Sequence, residues 1–241
     1  MAVLSVTSAT RRDMRRRLPG HNPLMRIVIA GGHGQIALHL ERRLAERGHE
    51  AVGIVRNPDH VGDLETIGAR AVVLDLEQST VDDVAQVVHG ADAVVFAAGA
   101  GPNSGAARKE TVDKGAAILL ADAAEQAGVR RYLMVSAMGT ENADPDSDDI
   151  MQVYLRAKQA ADDDLRSRDL DWTVVKPGRL TNDPGTGRVR VGAPGTIEYG
   201  EIPRDDVAAV LMALLESSAG RRTTFDLVGG DTPIEDAVAS L

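Results

Sequence analysis

Two side chains that can move a proton together lie four residues apart in the segment VYLRAKQAADDDL, namely Tyr154 and Lys158. Residues four apart share one face of a helix. A cationic lysine beside a tyrosine lowers the phenol pKa, which suits a phenol that gives or takes a proton at a carbonyl or an alcohol. Because the chain has only 3 tyrosines, the spacing is informative. We expect both residues to be catalytic; the alternative is an ordinary pair on a helix surface.

Two further polar residues belong to the same hypothesis. Ser136 ends the apolar run YLMVSA, and the carboxyl ends of parallel strands face the ligand crevice of an open sheet. Its hydroxyl there would orient a substrate carbonyl beside Tyr154. Asp113 lies in the helical segment TVDKGAAILL and would anchor a water or Lys158. The alternatives are a turn-forming serine and an exposed helix carboxylate.

A glycine-rich turn joins the first predicted strand to the first predicted helix, in IAGGHGQIALHL. Its spacing is Gly31-x-x-Gly34-x-x-Ala37. The first glycine permits the tight turn, the second lets a pyrophosphate approach the backbone, and the small third residue lets helix and strand pack closely. The helix amides then face the anion. We expect dinucleotide binding here, with a turn that holds no ligand as the alternative. The predicted binding residues are Gly31, Gly32, His33, Gly34, Gln35 and Ile36.

The residues after the next strands indicate which dinucleotide is bound. An NAD site places an acid at the end of the second strand, about 20 residues after the glycines, to hold the ribose hydroxyls. Here Arg56 stands at that point in GIVRNPDH, and a guanidinium pairs well with a 2′-phosphate. NADP is therefore favoured, with a solvated arginine as the alternative. The ends of the third and fourth strands add further predicted cofactor-binding residues: Asp75, Leu76, Ala97, Ala98 and Gly99. The alternative role of Asp75 is to cap the following turn.

Apolar runs alternate with helical segments from Met25 onward. The predicted strands are 26–30, 50–55, 69–76, 91–99, 130–137, 169–178 and 223–229, and the predicted helices are 35–48, 59–67, 81–90, 108–128, 150–168, 204–218 and a short one from Pro233. Uninterrupted Val/Ile-rich strands separated by helices indicate a parallel sheet covered on both faces. We predict an α/β fold, a Rossmann-type doubly wound parallel sheet in one domain over 25–241. Its Gly/Pro-rich C-terminal third, about 178–241, forms a small substrate-side region.

Composition excludes several classes of function. The absence of cysteine excludes disulfides, zinc–thiolate sites and cysteine nucleophiles, and the histidines show no metal spacing, so no metal site is expected. With a net charge of −9 and 2% aromatic residues, nucleic acid and membrane partners are not expected. Residues 1–24 hold five arginines, which follow a weakly apolar start. A secretory signal has its charges before the apolar run, so this order argues against secretion. We expect residues 1–24 to be a disordered or mis-assigned extension, and the alternatives are a nucleic-acid-binding arm or an organelle transit peptide. We expect the protein to be cytoplasmic.

Taken together, these segments resemble the atypical short-chain dehydrogenases/reductases, in the NAD(P)-binding group related to NmrA-like and flavin- and biliverdin-reductase-like proteins. The matching pieces are AGGHGQIA, VRNP, LDL, FAAG, VDKGA, RYLMVSA, YLRAK and VVKPGRLTNDPGTGRV. The resemblance implies NADP binding through Gly31, Gly34, Arg56 and Asp75, and a reductase site of Ser136, Tyr154 and Lys158. It further implies that Pro177 and Gly178, in the loop after the sixth strand, line the nicotinamide side. Extended members carry Asn where Asp113 stands, and the atypical group often has Asp.

These features predict an NADP-dependent reductase or dehydrogenase, which moves a hydride to or from a small carbonyl or alcohol substrate. Two alternatives stay open. One is an epimerase or dehydratase that uses its cofactor transiently, and the other is a regulator that senses NADP without turnover. The sequence predicts neither the substrate nor the oligomeric state, monomer or homodimer.

Overall fold

In the computed structural model, residues 24–101 and 104–241 are described. The expected N-terminal extension, apart from Leu24, lies outside the described residues. The β-strands are β1 (Arg26–Ala30), β2 (Glu50–Val55), β3 (Arg70–Val73), β4 (Ala93–Phe96), β5 (Arg131–Val135), β6 (Asp171–Pro177), β7 (Arg179–Thr181), β8 (Arg188–Gly192), β9 (Glu201–Pro203), β10 (Thr223–Gly229) and β11 (Thr232–Pro233).

The helices alternate with these strands. They are α1 (Gln35–Glu46), α2 (Val61–Thr66), α3 (Val81–Val88), α4 (Ala106–Arg108), α5 (Ala117–Gln126), α6 (Ile150–Ser167), α7 (Arg204–Glu216) and α8 (Ile234–Ala239), with short 3₁₀ turns at Pro58–His60 and Thr140–Asn142. A π-helical segment, Lys109–Ala116, joins α4 to α5. The sequence predicted one regular helix over this stretch, which is wrong for the π segment.

Nine strands form the main sheet, in the order β11-β8-β10-β6-β5-β4-β1-β2-β3. The strands from β10 to β3 in that order (β10, β6, β5, β4, β1, β2 and β3) run parallel to one another. At the other edge, β8 pairs antiparallel with both β10 and β11. The order 3-2-1-4-5-6 within it is that of a Rossmann fold. The predicted fold class is therefore confirmed. A second, two-stranded sheet of β7 and β9 was not predicted, because three-residue strands in a Gly/Pro-rich stretch carry no alternation to read.

Helices cover both faces of the sheet because alternate strand residues are buried on opposite sides. Ile27 and Ile29 pack with α1, α7 and α8, whereas Val28 and Ala30 pack with α3, α5 and α6. The strand order reverses between β1 and β4. Ligands of open α/β sheets bind at such a point, beyond the carboxyl ends of the strands.

Some predicted strands extend too far at these carboxyl ends. The third strand ends at Val73 rather than residue 76, and the fourth at Phe96 rather than residue 99. Beyond Val73, the Asp75 carboxylate accepts a hydrogen bond from the Glu77 amide at 3.1 Å, so the chain turns away from the sheet. The segments released in this way form the walls of two cavities.

Candidate active site

The first cavity, which we name the glycine-turn cavity, lies where β1 passes into α1 and has a volume of about 280 Å³. Most of the predicted cofactor residues line it. They are Gly31, His33, Gly34, Arg56, Asp75, Leu76, Ala97, Ala98 and Gly99. The glycine turn and the strand ends thus bring together, in one cavity, residues that lie far apart in the sequence.

The backbone of the glycine turn leaves no space for side chains. Gly31 has φ +82°, and a Cβ there would lie 2.6 Å from the Ala98 Cα. Gly34 is the N-cap of α1 and provides no side-chain cap, so the first-turn amides, which have no partner within a helix, remain for an anion. This cradle fits a dinucleotide pyrophosphate. Gly32 has another role, since its amide bonds to the Ile54 carbonyl at 2.9 Å and a Cβ would meet Gly53.

Arg56 follows β2 at the predicted place and is largely exposed, but it is not alone. Its Nη1 lies 3.1 Å from Glu77 Oε2, and Arg108 Nη2 lies 2.8 Å from the same oxygen. Thr111 donates to the other oxygen of Glu77 at 2.6 Å. The hydrogen bond from Arg108 lowers the pKa of Glu77, with further lowering from Thr111 and from the charge of Arg56. One carboxylate is thus flanked by two guanidinium groups at the expected 2′-phosphate position, and a second carboxylate, Asp75, also lines the cavity.

The second cavity, which we name the tyrosine cavity, has a volume of about 470 Å³. It shares Gly34, Ala97, Ala98 and Gly99 with the glycine-turn cavity, so the two form one continuous cleft. All four predicted catalytic residues line it together with Gln35 and Ile36 of the glycine turn: Asp113, Ser136, Tyr154 and Lys158. They come from the π segment, the end of β5 and helix α6.

Lys158 is fixed by three contacts. Its Nζ donates to the Val135 carbonyl at 3.1 Å and to the Ala98 carbonyl at 3.4 Å. It also lies 3.5 Å from Asp113 Oδ1, and the Asp113 side chain is fully buried. Burial lowers the pKa of Lys158, while Asp113 and Asp162 oppose that change. The expected link between Asp113 and Lys158 is therefore present in the structure.

The expected pKa shift of Tyr154 is wrong in direction. We expected Lys158 to lower the phenol pKa, but burial raises it above its usual range, and the carboxylates of Asp113 and Asp162 add to the rise. The sequence places lysine and tyrosine on one helix face but does not show the buried acids around them. Tyr154 is therefore protonated at neutral pH, as an unperturbed tyrosine also is.

Asp162 is a site residue that sequence reasoning missed. It is fully buried, and the Ser136 hydroxyl donates to its Oδ2 at 2.7 Å. Burial raises the pKa of Asp162 to about 6, although the Ser136 hydrogen bond and the nearby Lys176 and Lys158 charges lower it. The donor expected to orient the substrate is thus directed to Asp162. The helical spacing was a readable signal, since Asp162 follows Lys158 by four residues and Tyr154 by eight.

Pro177 and Gly178, implied by the resemblance, line neither cavity. The Gly178 amide bonds to the Leu227 carbonyl at 3.0 Å, and a Cβ there would meet the Gly200 carbonyl. Gly178 therefore serves the packing of β6 against neighbouring backbone. Of the residues that follow Gly178, Leu180 of β7 lines the tyrosine cavity.

Features that would cross a membrane or hold a metal ion are absent from the described residues. No helix among them is both long enough and apolar enough to cross a bilayer. Within residues 24–101 and 104–241, no three His, Asp or Glu side chains are grouped so that they could hold a metal ion.

Comparison with known proteins supports the interpretation of the cleft as a cofactor-binding site. A Bacillus subtilis protein named uncharacterized sugar epimerase YhfK is 36% identical over 218 residues, which is 90% of this chain and all of that protein. A Bacillus halodurans structure, assigned by its name to the NAD-dependent epimerases/dehydratases, is 38% identical with a TM-score of 0.83, covering 90% of this chain and all of that one. The oxidoreductase ylbE of Lactococcus lactis is 27% identical with a TM-score of 0.79, over 90% and 96%.

The match to a known family covers the whole cleft. Residues 31–218, from the first glycine of the turn to beyond α7, match the family described as NAD(P)H-binding. This range includes every residue that forms the glycine-turn cavity and the tyrosine cavity. It confirms the resemblance drawn from the sequence, and the chain is a member of the NAD(P)H-binding family.

Proposed function

We propose that this chain is an NADPH-dependent reductase that transfers a hydride to the carbonyl carbon of a small substrate, with Tyr154 as the proton donor to the carbonyl oxygen. The observation that carries the proposal is the continuity of the cleft. The cradle that fits a dinucleotide opens, through Gly34 and the Ala97–Gly99 segment, into the cavity lined by Tyr154 and Lys158. A nicotinamide end extended from the glycine turn would therefore reach these side chains.

The residues of the cleft fit distinct roles. The amides at the start of α1 would hold the pyrophosphate, and Arg56 with Arg108 would hold the 2′-phosphate. Lys158 would bind the nicotinamide ribose, with its position fixed by Asp113 and two carbonyls. When bound, NADPH supplies the hydride. Tyr154 supplies the proton, because its phenol is protonated at neutral pH, as an unperturbed tyrosine also is.

An epimerase is the second candidate, because the Bacillus subtilis relative carries that name. The two functions differ in stoichiometry. A reductase consumes one NADPH for each product, whereas an epimerase regenerates its cofactor and leaves its absorbance unchanged over many turnovers. Incubation with carbonyl substrates and with sugar nucleotides, followed at the NADPH absorbance and by analysis of product configuration, separates them.

The test of the proposed reduction is Tyr154→Phe. Loss of a positioned proton donor costs about 10²–10⁴-fold in rate, so we expect at least roughly a 100-fold fall in kcat for carbonyl reduction. NADPH affinity, measured by calorimetry, should change by less than about twofold, since the phenol ring is retained. A matched control is Tyr199→Phe, which removes a largely exposed hydroxyl. Full turnover by Tyr154→Phe would contradict the proton-donor role.

A further inference from the structure

The charged lining of the tyrosine cavity is unlike the rest of the chain. Among the described residues, its charged side chains are three cations and one carboxylate: Lys109, Lys158, Arg204 and Asp113. The whole chain carries a net charge of −9. The buried Asp162 carboxylate, which accepts from Ser136 of the cavity lining, offsets one of these cations. One positive charge remains in excess around the cavity, and such an excess attracts an anion.

Lys158 and Asp113 are paired with each other, as described above, but Lys109 is not used by the proposed reaction. Its side chain is nearly buried, with 6% of the residue exposed. Its Nζ donates to the Gly101 carbonyl at 2.8 Å and lies 4.0 Å from Asp113 Oδ2. An ammonium group has three protons to donate, and Asp113 already serves Lys158. Lys109 therefore retains the capacity to bind an anion from the cavity.

The position of Lys109 places it beside the reacting groups. Its Nζ lies 5.2 Å from the centre of the Tyr154 ring, so a ligand that reaches the phenol also comes near the ammonium. The helical spacing explains this placement. Lys109, Val112, Asp113 and Ala116 lie at positions i, i+3, i+4 and i+7 and are buried together on one face of the π-helical segment, and such segments occur often at functional sites.

Part of the cavity lining is apolar. Ile150 and Met151, in the first turn of α6, and Leu180 of β7 contribute to it. Ile150 and Met151 are exposed, and the Asp149 carboxylate fixes this turn by accepting from the Met151 amide at 2.8 Å. Exposed apolar side chains at the rim of a cleft mark a ligand-binding surface, and they offer little to the hydroxyls of a sugar.

We propose that Lys109 binds an anionic group next to the carbonyl of the substrate, so that the substrate class is 2-oxo acids with an apolar or aromatic body. The inference rests on the proposed function for the carbonyl, but the anion site can be tested without turnover. Lys109 is a specificity-determining residue in this account, while Tyr154 remains the proton donor.

The binding test uses benzoate and benzamide, which share a ring and a shape but differ in charge. A hydrogen bond to a charged group inside a protein gives on the order of tenfold in affinity. We expect benzoate to bind the wild-type chain, with NADP⁺ present, at least about tenfold more tightly than benzamide. Lys109→Met should make the two affinities equal, and Lys109→Arg should retain most of the preference. Melting temperatures of the variants show whether they are folded.

The matched control is Lys114→Met. Lys114 lies on the same π segment, is partly exposed and pairs with Glu110 at 3.1 Å. The Lys114→Met substitution removes the same charge outside the cavity, so the preference for benzoate should remain. NADPH affinity should change by less than about twofold in Lys109→Met. A tenfold loss of NADPH affinity with an unchanged benzoate preference would overturn the proposal, because Lys109 would then bind the cofactor.

Turnover separates this inference from the proposed function. Benzoylformate and its methyl ester are reduced at the same carbonyl, and we expect about a tenfold higher kcat/KM for the acid in wild type and none of that preference in Lys109→Met. A benzoate preference without reduction of either compound would support the anion site and contradict the reductase. Reduction of both compounds at equal kcat/KM, with equal binding of benzoate and benzamide, would overturn the anion site and leave the reductase.

Discussion

The glycine-turn cavity and the tyrosine cavity share four residues but hold their charges differently. Around the first, Glu77 lies between the largely exposed Arg56 and the partly exposed Arg108. Around the second, Asp113 and Asp162 are fully buried and govern Tyr154, Lys158 and Ser136. Solvent screens charges of the first kind and hardly those of the second. The first cavity is therefore suited to recognise a charged ligand, and the second to set the protonation states of its own side chains.

A buried acid lies beneath each cavity, and the two acids differ in partners. Glu41 of α1 is fully buried under the glycine turn, and neither of its carboxylate oxygens has a hydrogen-bond partner. Burial raises its pKa to about 9. Asp162 receives the Ser136 hydroxyl and lies near cations, and its pKa rises only to about 6. Partners thus decide whether a buried acid is ionised at neutral pH.

The largest expected effect concerns Glu41. Its folded pKa is above the unfolded value, so the folded state binds the proton more tightly and stability falls as pH rises from about 4.5 towards 9. At pH 7 this costs about 3 kcal/mol. We expect Glu41→Gln, which mimics the protonated form, to raise the free energy of unfolding by about that amount at pH 7 and much less at pH 5.

Urea unfolding at the two pH values measures this effect. The control is Glu46→Gln, an exposed position on the same helix, which should change stability by less than about 0.5 kcal/mol. An equal gain from Glu41→Gln at pH 5 and pH 7 would mean that Glu41 is not held protonated by burial.

The next effect concerns the guanidinium pair of the glycine-turn cavity. Removal of one partly exposed guanidinium from a phosphate costs on the order of tenfold in affinity. We expect Arg56→Ala and Arg108→Ala each to weaken NADPH binding by about that factor and NADH binding by less than about twofold, because only NADPH carries the 2′-phosphate. Arg70→Ala is the control, since Arg70 begins β3 and lies at the opposite end of the parallel strands from Arg56, which follows β2. Equal losses for both cofactors would contradict the assignment of the 2′-phosphate.

The smallest effect concerns Asp162. Above pH 6 its carboxylate is ionised and accepts the hydrogen bond of the Ser136 hydroxyl, so the hydroxyl is not available to donate to a substrate. Protonation below pH 6 releases that donor. We expect kcat/KM for carbonyl reduction to rise by about threefold as pH falls from 8 to 5.5, consistent with one neutral hydrogen bond. Asp162→Asn should flatten the profile; the same slope in this variant would assign the effect to another group.

The glycine-turn cavity could be predicted largely from sequence because its residues follow strand ends at short, regular intervals. The turn at Gly31 to Gly34 and the position of Arg56 are set by the β-α-β unit itself. Arg108 reaches the same cavity from α4, which is distant in the sequence from Glu77. No local spacing shows that the two side chains meet.

The tyrosine cavity could be predicted in its members but not in its electrostatics. The helical spacing of Tyr154 and Lys158 was sufficient to place both in one cavity. The phenol pKa depends on burial and on Asp113, which comes from a separate helix 41 residues earlier. The inward position of Lys109 follows the same helical spacing as that of Asp113, but nothing in the sequence predicts the π-helical hydrogen bonding of this segment. Long-range packing therefore determines the part of the site that chemistry depends on.

The central claim is that one dinucleotide lies along the continuous cleft with its 2′-phosphate at Arg56. Calorimetric titration of the purified chain with NADPH and with NADH tests it most directly. We predict one binding site per chain, at least about tenfold tighter for NADPH than for NADH, and no detectable binding to Gly31→Ala, whose Cβ would meet Ala98. Absence of binding by either cofactor to the wild-type chain would contradict the account.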